Sequence, residues 1–179
     1  MARFVEEWTL KAQSKAATPK SMPHSLSFER RNVNGQTEIK HTWTHWHLIP
    51  VSTIVIAQPT PVYTYVDIPG ADGAMDLSDY LVGRPTYSDR QGTIEFYVAD
   101  ITDNAGKGTA SNWNTRRTDI ANFLNGSKMK VYLDDDQNHY YEGRVFFKQW
   151  TPDASHSKVT IEYRLKPYRY TTNGREDGL

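Results

Sequence analysis

Apolar and polar residues alternate along four segments of the second half of the chain. Ile94, Phe96 and Val98 fall on one side of an extended segment, with Glu95 and Tyr97 on the other. Met129, Val131 and Leu133 oppose Lys128, Lys130 and Tyr132, and Tyr141, Val145 and Phe147 oppose Glu142, Arg144 and Phe146. Val159, Ile161, Tyr163 and Leu165 oppose Lys158, Thr160, Glu162 and Arg164. Successive side chains of a strand point to opposite faces, so a period of two predicts antiparallel strands with one face in a core and one in water. A strand over 128–133, the turn Asp134-Asp135-Asp136-Gln137-Asn138 and a strand over 139–148 make an extended hairpin. Leu26 and Phe28 alternate likewise ahead of Asn34-Gly35, a strong hairpin-turn signal. Thr42 to Tyr65 is rich in β-branched residues but is punctuated by Pro50, Pro59 and Pro61. Proline cannot donate to a ladder, which predicts edge strands or a long crossing connection there.

One segment follows a helical period instead. Trp113, Ile120, Phe123 and Leu124 share a stripe, with Asn112 placed as N-cap and Asn125-Gly126 as the C-terminal stop. The fold expected is therefore mainly β, of the α+β class: an antiparallel barrel or sandwich with one packed α-helix. Its 179 residues suffice for one domain, placed at 24–170. A flexible N-terminal arm, 1–23, precedes it. Within the arm Phe4 to Lys11 is amphipathic but too short for a stable helix alone. Residues 171–179 form a C-terminal tail.

Charge and composition narrow the function. Lys plus Arg and Asp plus Glu number 21 each, so the net charge is zero. That balance tolerates self-association and argues against nucleic acid as an obligate partner, since phosphate binding needs a basic face. The chain has no cysteine, which excludes disulfides, thiol catalysis and Cys-based zinc sites. No apolar run approaches the roughly 20 residues of a membrane-spanning helix, so no membrane partner is expected.

Candidate chemistry is sparse. His41, His45 and His47 are the most metal-like group, and in an extended strand His45 and His47 share a face. Trp43 and Trp46 interleave with them and no carboxylate lies in the segment, so half-exposed histidines beside aromatics are the expectation. Asp134-Asp135-Asp136 lacks the alternating ligands of a calcium loop and reads as an acidic hairpin tip. His156 and Ser157 lack the Gly-x-Ser-x-Gly setting of a nucleophile, and Gly106-Lys107-Gly108-Thr109 lacks the leading glycine of a phosphate loop. No enzymatic activity, cofactor or metal site is expected. In Val66 to Ser78, Gly70 and Gly73 permit positive φ while Asp72 and Asp76 can bond nearby amides, which predicts an ordered, turn-rich loop.

Several blocks, taken in order, then form a pattern. They are Thr42 to Pro50, the stretch Tyr65-Val66-Asp67-Ile68-Pro69-Gly70-Ala71-Asp72-Gly73, and Asp76-Leu77-Ser78 with Gly83-Arg84-Pro85. After Tyr87-x-Asp89-Arg90 come Ile120 to Gly126, Tyr140-Tyr141-Glu142-Gly143-Arg144-Val145 and Leu165 to Tyr170. This order resembles the N-terminal domain of phage distal tail proteins of siphophages and of prophages in Gram-positive bacteria. The resemblance implies a tail-tube-like fold and a homohexameric ring at the virion tail tip, assembled in the host cytoplasm. The partners it implies are the tail tube and tape measure proteins on one side and tail-associated or receptor-binding proteins on the other. DNA would only pass through. It makes Trp43, Trp46, Asp67, Pro69, Gly70, Asp72 and Gly73 candidates for the ring or partner interface, and Asp134, Asp135 and Asp136 candidates for the channel lining. Many relatives continue into a carbohydrate-module-like domain, and this sequence ends soon after Tyr170, so the resemblance assigns it no host-surface binding. Competing readings are a tail tube or other baseplate protein of the same fold, and a carbohydrate-binding β-sandwich using Trp43 and Trp46 as its platform.

Overall fold

A computed structural model describes residues 22–70, 72–80, 82–98, 110–152 and 157–179, with the backbone alone for 110–113. The segment 1–21, Gly106 to Thr109, His156 and the side chain of Trp113 lie outside the described residues.

The first two strands, β1 (Leu26–Arg31) and β2 (Thr37–His41), form a hairpin. Its turn contains Gly35 at φ 76°, and the Asn32 side chain accepts the amides of Asn34 and Gln36. The short β3 (Leu48–Pro50) comes next. Four short strands then fold on one another: β4 (Pro61–Val62) with β7 (Thr86–Tyr87), and β5 (Tyr65–Asp67) with β6 (Ala74–Asp76). The long strands are β8 (Arg90–Val98), β9 (Asn125–Leu133), β10 (Asp136–Thr151) and β11 (Lys158–Leu165), followed by the short β12 (Tyr170–Thr171). The helix α1 (Ala110–Phe123) lies between β8 and β9.

The main sheet runs β2-β1-β9-β10-β11-β8-β3, every pair antiparallel, with β12 added to β10. Its two edges, β2 and β3, are consecutive in sequence and joined only by residues 42–47. Six residues reach between opposite edges only because the sheet twists and curls, here into a half-barrel. The mainly β, α+β expectation holds in this form.

The alternation on β8, β9 and β11 translates directly into burial. Phe96, Val131, Val145, Ile161 and Leu165 are all at most 2% exposed inside the half-barrel. Ile120, Phe123 and Leu124 of the helical stripe close it from above. The helix begins at Ala110, so Asn112 lies within its first turn rather than at its cap. Its C-terminal end is capped from a distance. Arg30 Nη1 donates to the carbonyls of Asn122 and Phe123 at 3.1 and 2.8 Å, and the guanidinium lies 4.3 Å from the centre of the Phe123 ring. A cation suits the negative end of the helix dipole.

Residues 51–60 cross the sheet without forming a strand, burying Ile54 and Ile56, as the prolines implied. Residues 171–179, the expected C-terminal tail, return along the domain. Thr171 N–H donates to Arg175 O, Arg169 N–H to Gly178 O, and Asp177 N–H to Arg169 O. The stacked rings of Tyr140 and Tyr170, 5.6 Å apart, fasten this return to β10.

Candidate interaction surfaces

The segment 42–47 is a turn, not the extended strand expected. His45 N–H donates to His41 O and His47 N–H to Trp43 O, at 3.1 and 2.8 Å. These bonds coil the segment, and Trp43 and Trp46 both turn inward, into two separate apolar clusters. Trp46 is fully buried; its indole N–H donates to Asp119 on the helix at 2.6 Å and its ring meets Phe123 edge-on. Trp43 is 2% exposed and packs with Met22 and Ile49 on the other face of the sheet edge. Two of the candidate interface residues are thus buried within the chain itself, and a sugar-stacking platform goes with them.

The same turn scatters the three histidines. His41 Nδ1 accepts the amides of Trp43 and Thr44, leaving Nε2 to carry the proton and donate to Asp134 at 2.9 Å. His45 Nδ1 accepts the amide of His41, and burial pushes its pKa below the ordinary imidazole value, with Lys40 adding to the effect. His47 stands edge-on to Trp43. Among the described residues no three His, Asp or Glu side chains converge as a metal site would require.

The acidic tip is tighter than expected and its charges are engaged. Only Asp134 and Asp135 form the turn; Asp136 already belongs to β10. Each carboxylate has its own imidazole: Asp134 meets His41, Asp135 meets His24 at 2.5 Å, and Asp136 meets His139 at 2.7 Å. His139 Nε2 also faces Asp177 at 2.7 Å, so both ring nitrogens point at carboxylates. The hydrogen bond that His139 donates to Asp136 is the main cause holding the His139 pKa above the ordinary value, with burial opposing it.

The remaining candidates lie on one exposed feature. Residues 61–87 form an arm of two short hairpins, and Asp67, Pro69, Gly70, Asp72 and Gly73 sit at its outer end, all exposed. Gly70 and Gly73 adopt φ of 83° and 85°, which explains the glycines of that block. Tyr65 is 60% exposed, Met75 50% and Tyr80 80%, while Val62, Tyr63, Val66, Ile68 and Val82 are also in solvent. Exposed apolar patches of this kind are a common feature of protein contact surfaces. Four aspartates (67, 72, 76 and 79) against one arginine (84) make the arm acidic. Arg84 is occupied over the ring of Tyr168, at 5.4 Å. Asp76 accepts both the amide and the hydroxyl of Ser78, which holds its pKa below the usual carboxylate value.

Where the arm leaves the domain, sequence reasoning missed the key residue. Arg90 is 1% exposed, with Nε donating to Pro167 O at 2.8 Å and Nη1 to Ala57 O at 2.9 Å. Among the described residues no carboxylate pairs with it, and desolvation pulls its pKa down from the usual arginine value. Its only sequence signal was its place in the Tyr87-x-Asp89-Arg90 step. The outer face of the sheet, by contrast, is laced with ion pairs: Lys130 with Glu29, Lys128 and Lys166 with Glu142, and Lys148 with Glu162.

No protein-family model matches the chain, and no curated protein matches its sequence. Among solved structures it is similar to the SPP1 Dit protein (gp 19.1), a paradigm of the hub adsorption apparatus in Gram-positive infecting phages. The TM-score is 0.51 at 17% identity, covering 82% of this chain and 52% of that one, so the chain spans about half that protein's length. At that identity the likeness concerns the fold, and the fold of this chain is that of a Dit-like phage tail protein.

Proposed function

We propose that this chain is a structural component of a phage or prophage tail tip, where it forms a hexameric ring joining the tail tube to the baseplate or receptor-binding apparatus. The observation that carries the reading is the Dit-like fold over 82% of the chain. The exposed apolar arm supports it, because a surface of that kind calls for a protein partner. Closed cyclic symmetry is the usual outcome for identical subunits. In such a ring the tape measure and tail tube proteins lie to one side and the receptor-binding components to the other, with DNA passing through the centre. The hairpin tip at Asp134-Asp135-Asp136 is the candidate wall of that passage, each of its carboxylates bonded to an imidazole. Assembly takes place in the host cytoplasm.

Negative-stain electron microscopy of the purified chain, alone and mixed with its neighbouring tail proteins, tests this. Six-fold rings are expected. A 20.6 kDa species without rings under both conditions overturns the reading. Stacks growing into tubes would instead favour a tail tube protein of the same fold.

A further inference from the structure

We propose that the acidic arm of one subunit seats in the basic clefts on the outer sheet face of a second copy. This inference rests on the ring reading and names the contact that would build it.

Two open clefts lie side by side on that face. The first, of about 440 Å³, is rimmed by Arg30, Arg31, Lys128 and Lys130 against Glu29 and Glu142. The second, of about 300 Å³, is rimmed by Lys128, Arg144, Arg164 and Lys166 against Asp89. Lys128 is shared, and the Arg30 guanidinium is turned to Glu38 and the helix end, so the pair presents six basic side chains against three acidic ones. The carboxylates present are already held: Glu29 by Lys130, Glu142 by two lysines and Asp89 by Arg164. Arg31 and Arg144 remain exposed on the rims. The face is also partly apolar, with Ile39 55% exposed and Phe146 37%.

The arm is the complementary element. Its outer end carries Asp67, Asp72, Asp76 and Asp79 beside exposed Tyr65, Val66, Ile68 and Met75, and its one basic residue is turned back onto Tyr168. The arm, with four aspartates against one arginine, is opposite in sign to the clefts. An arm and a face at different places on one subunit make a heterologous contact, the kind that closes into a ring. Complementary potentials of this sort set partner choice and register more than raw affinity. Duplex DNA is the rival occupant of a basic cleft, but the arm offers apolar surface that a phosphate backbone does not.

The test is a charge swap read by sedimentation velocity on the full chain, with folding checked by circular dichroism. D67K/D72K should weaken self-association by at least about tenfold, and so should R31E/R144E. An equimolar mixture of the two variants should recover association, since each reversed arm then meets a reversed face. Raising salt should weaken the wild-type contact as charges are screened. Folded variants that assemble like the wild type, or a mixture that stays dissociated, overturn the contact and leave the ring reading in place. Wild-type protein that stays monomeric alone and with its tail partners removes both. Salt-sensitive binding of a duplex oligonucleotide that R31E/R144E abolishes while leaving self-association intact assigns the clefts to DNA and overturns the proposal.

Discussion

Gly143 lies where β10 runs against β11 at Leu165, and a Cβ there would collide with the carbonyl oxygen of Arg164 and sit 2.6 Å from the Leu165 Cα. Both are backbone atoms, so no rotamer change relieves the clash. Gly143→Ala should therefore cost about 1–3 kcal/mol as the strands are pushed apart. An unchanged midpoint in denaturant melts would show that the two strands approach less closely. The glycine was legible in the Tyr-Tyr-Glu-Gly-Arg block, but its reason was not, because the neighbour it accommodates is on another strand. The pairing of His139 with Asp136 and Asp177 was equally hidden. Its folded pKa is raised, so its contribution is complete below the unfolded value of about 6.5 and is lost as pH rises through the folded value. Titration by NMR should place the His139 pKa above 6.5, and Asp136→Asn should lower it. A His139 pKa at or below 6.5 sinks the assignment.

At the scale of elements, helix α1 is fixed by three anchors. Phe123 enters the core, the Trp46 indole holds Asp119, and Arg30 caps the last carbonyls. Phe123→Ala should cost about 3–5 kcal/mol, the usual range for a buried phenylalanine. A loss under about 1 kcal/mol in denaturant melts would mean the helix is peripheral. Arg30→Ala should cost about 1–3 kcal/mol, because it leaves carbonyls unpaired at a half-buried helix end and removes a stacked cation. Retention of full stability in that variant would show that water caps the helix equally well. The helical stripe and the long strands were readable, since their periods are local. The turn at 42–47 was not: β-branched and aromatic residues favour strands, and tertiary burial of Trp43 and Trp46 overrode that preference. Their spacing of three was the one clue to a helical turn.

For the whole molecule, the order of strands in the sheet is what a period-two pattern cannot supply. Alternation shows that strands exist, whereas the pairing of β1 with β9 and of β8 with β11 depends on which apolar faces meet. The site followed the same rule. The turn geometry of the block at Asp67 to Gly73 was legible because the positive φ of its glycines is a local property. Arg90 and the basic clefts escaped, being assembled from residues far apart. Synthesis from the N-terminus turns this topology into a schedule. Phe28 has to wait for Val131 to leave the ribosome, and Ile94 waits for Ile161. At about 5–20 residues per second, the exposed arm is therefore outside the ribosome for several seconds before the sheet that anchors it can close. A nascent chain halted before residue 158 lacks β11, and with it the centre of the fold. It should be cut readily by protease anywhere beyond residue 60, whereas one extended past Leu165 should resist. The translating polysome is thus the stage at which this subunit most needs a chaperone.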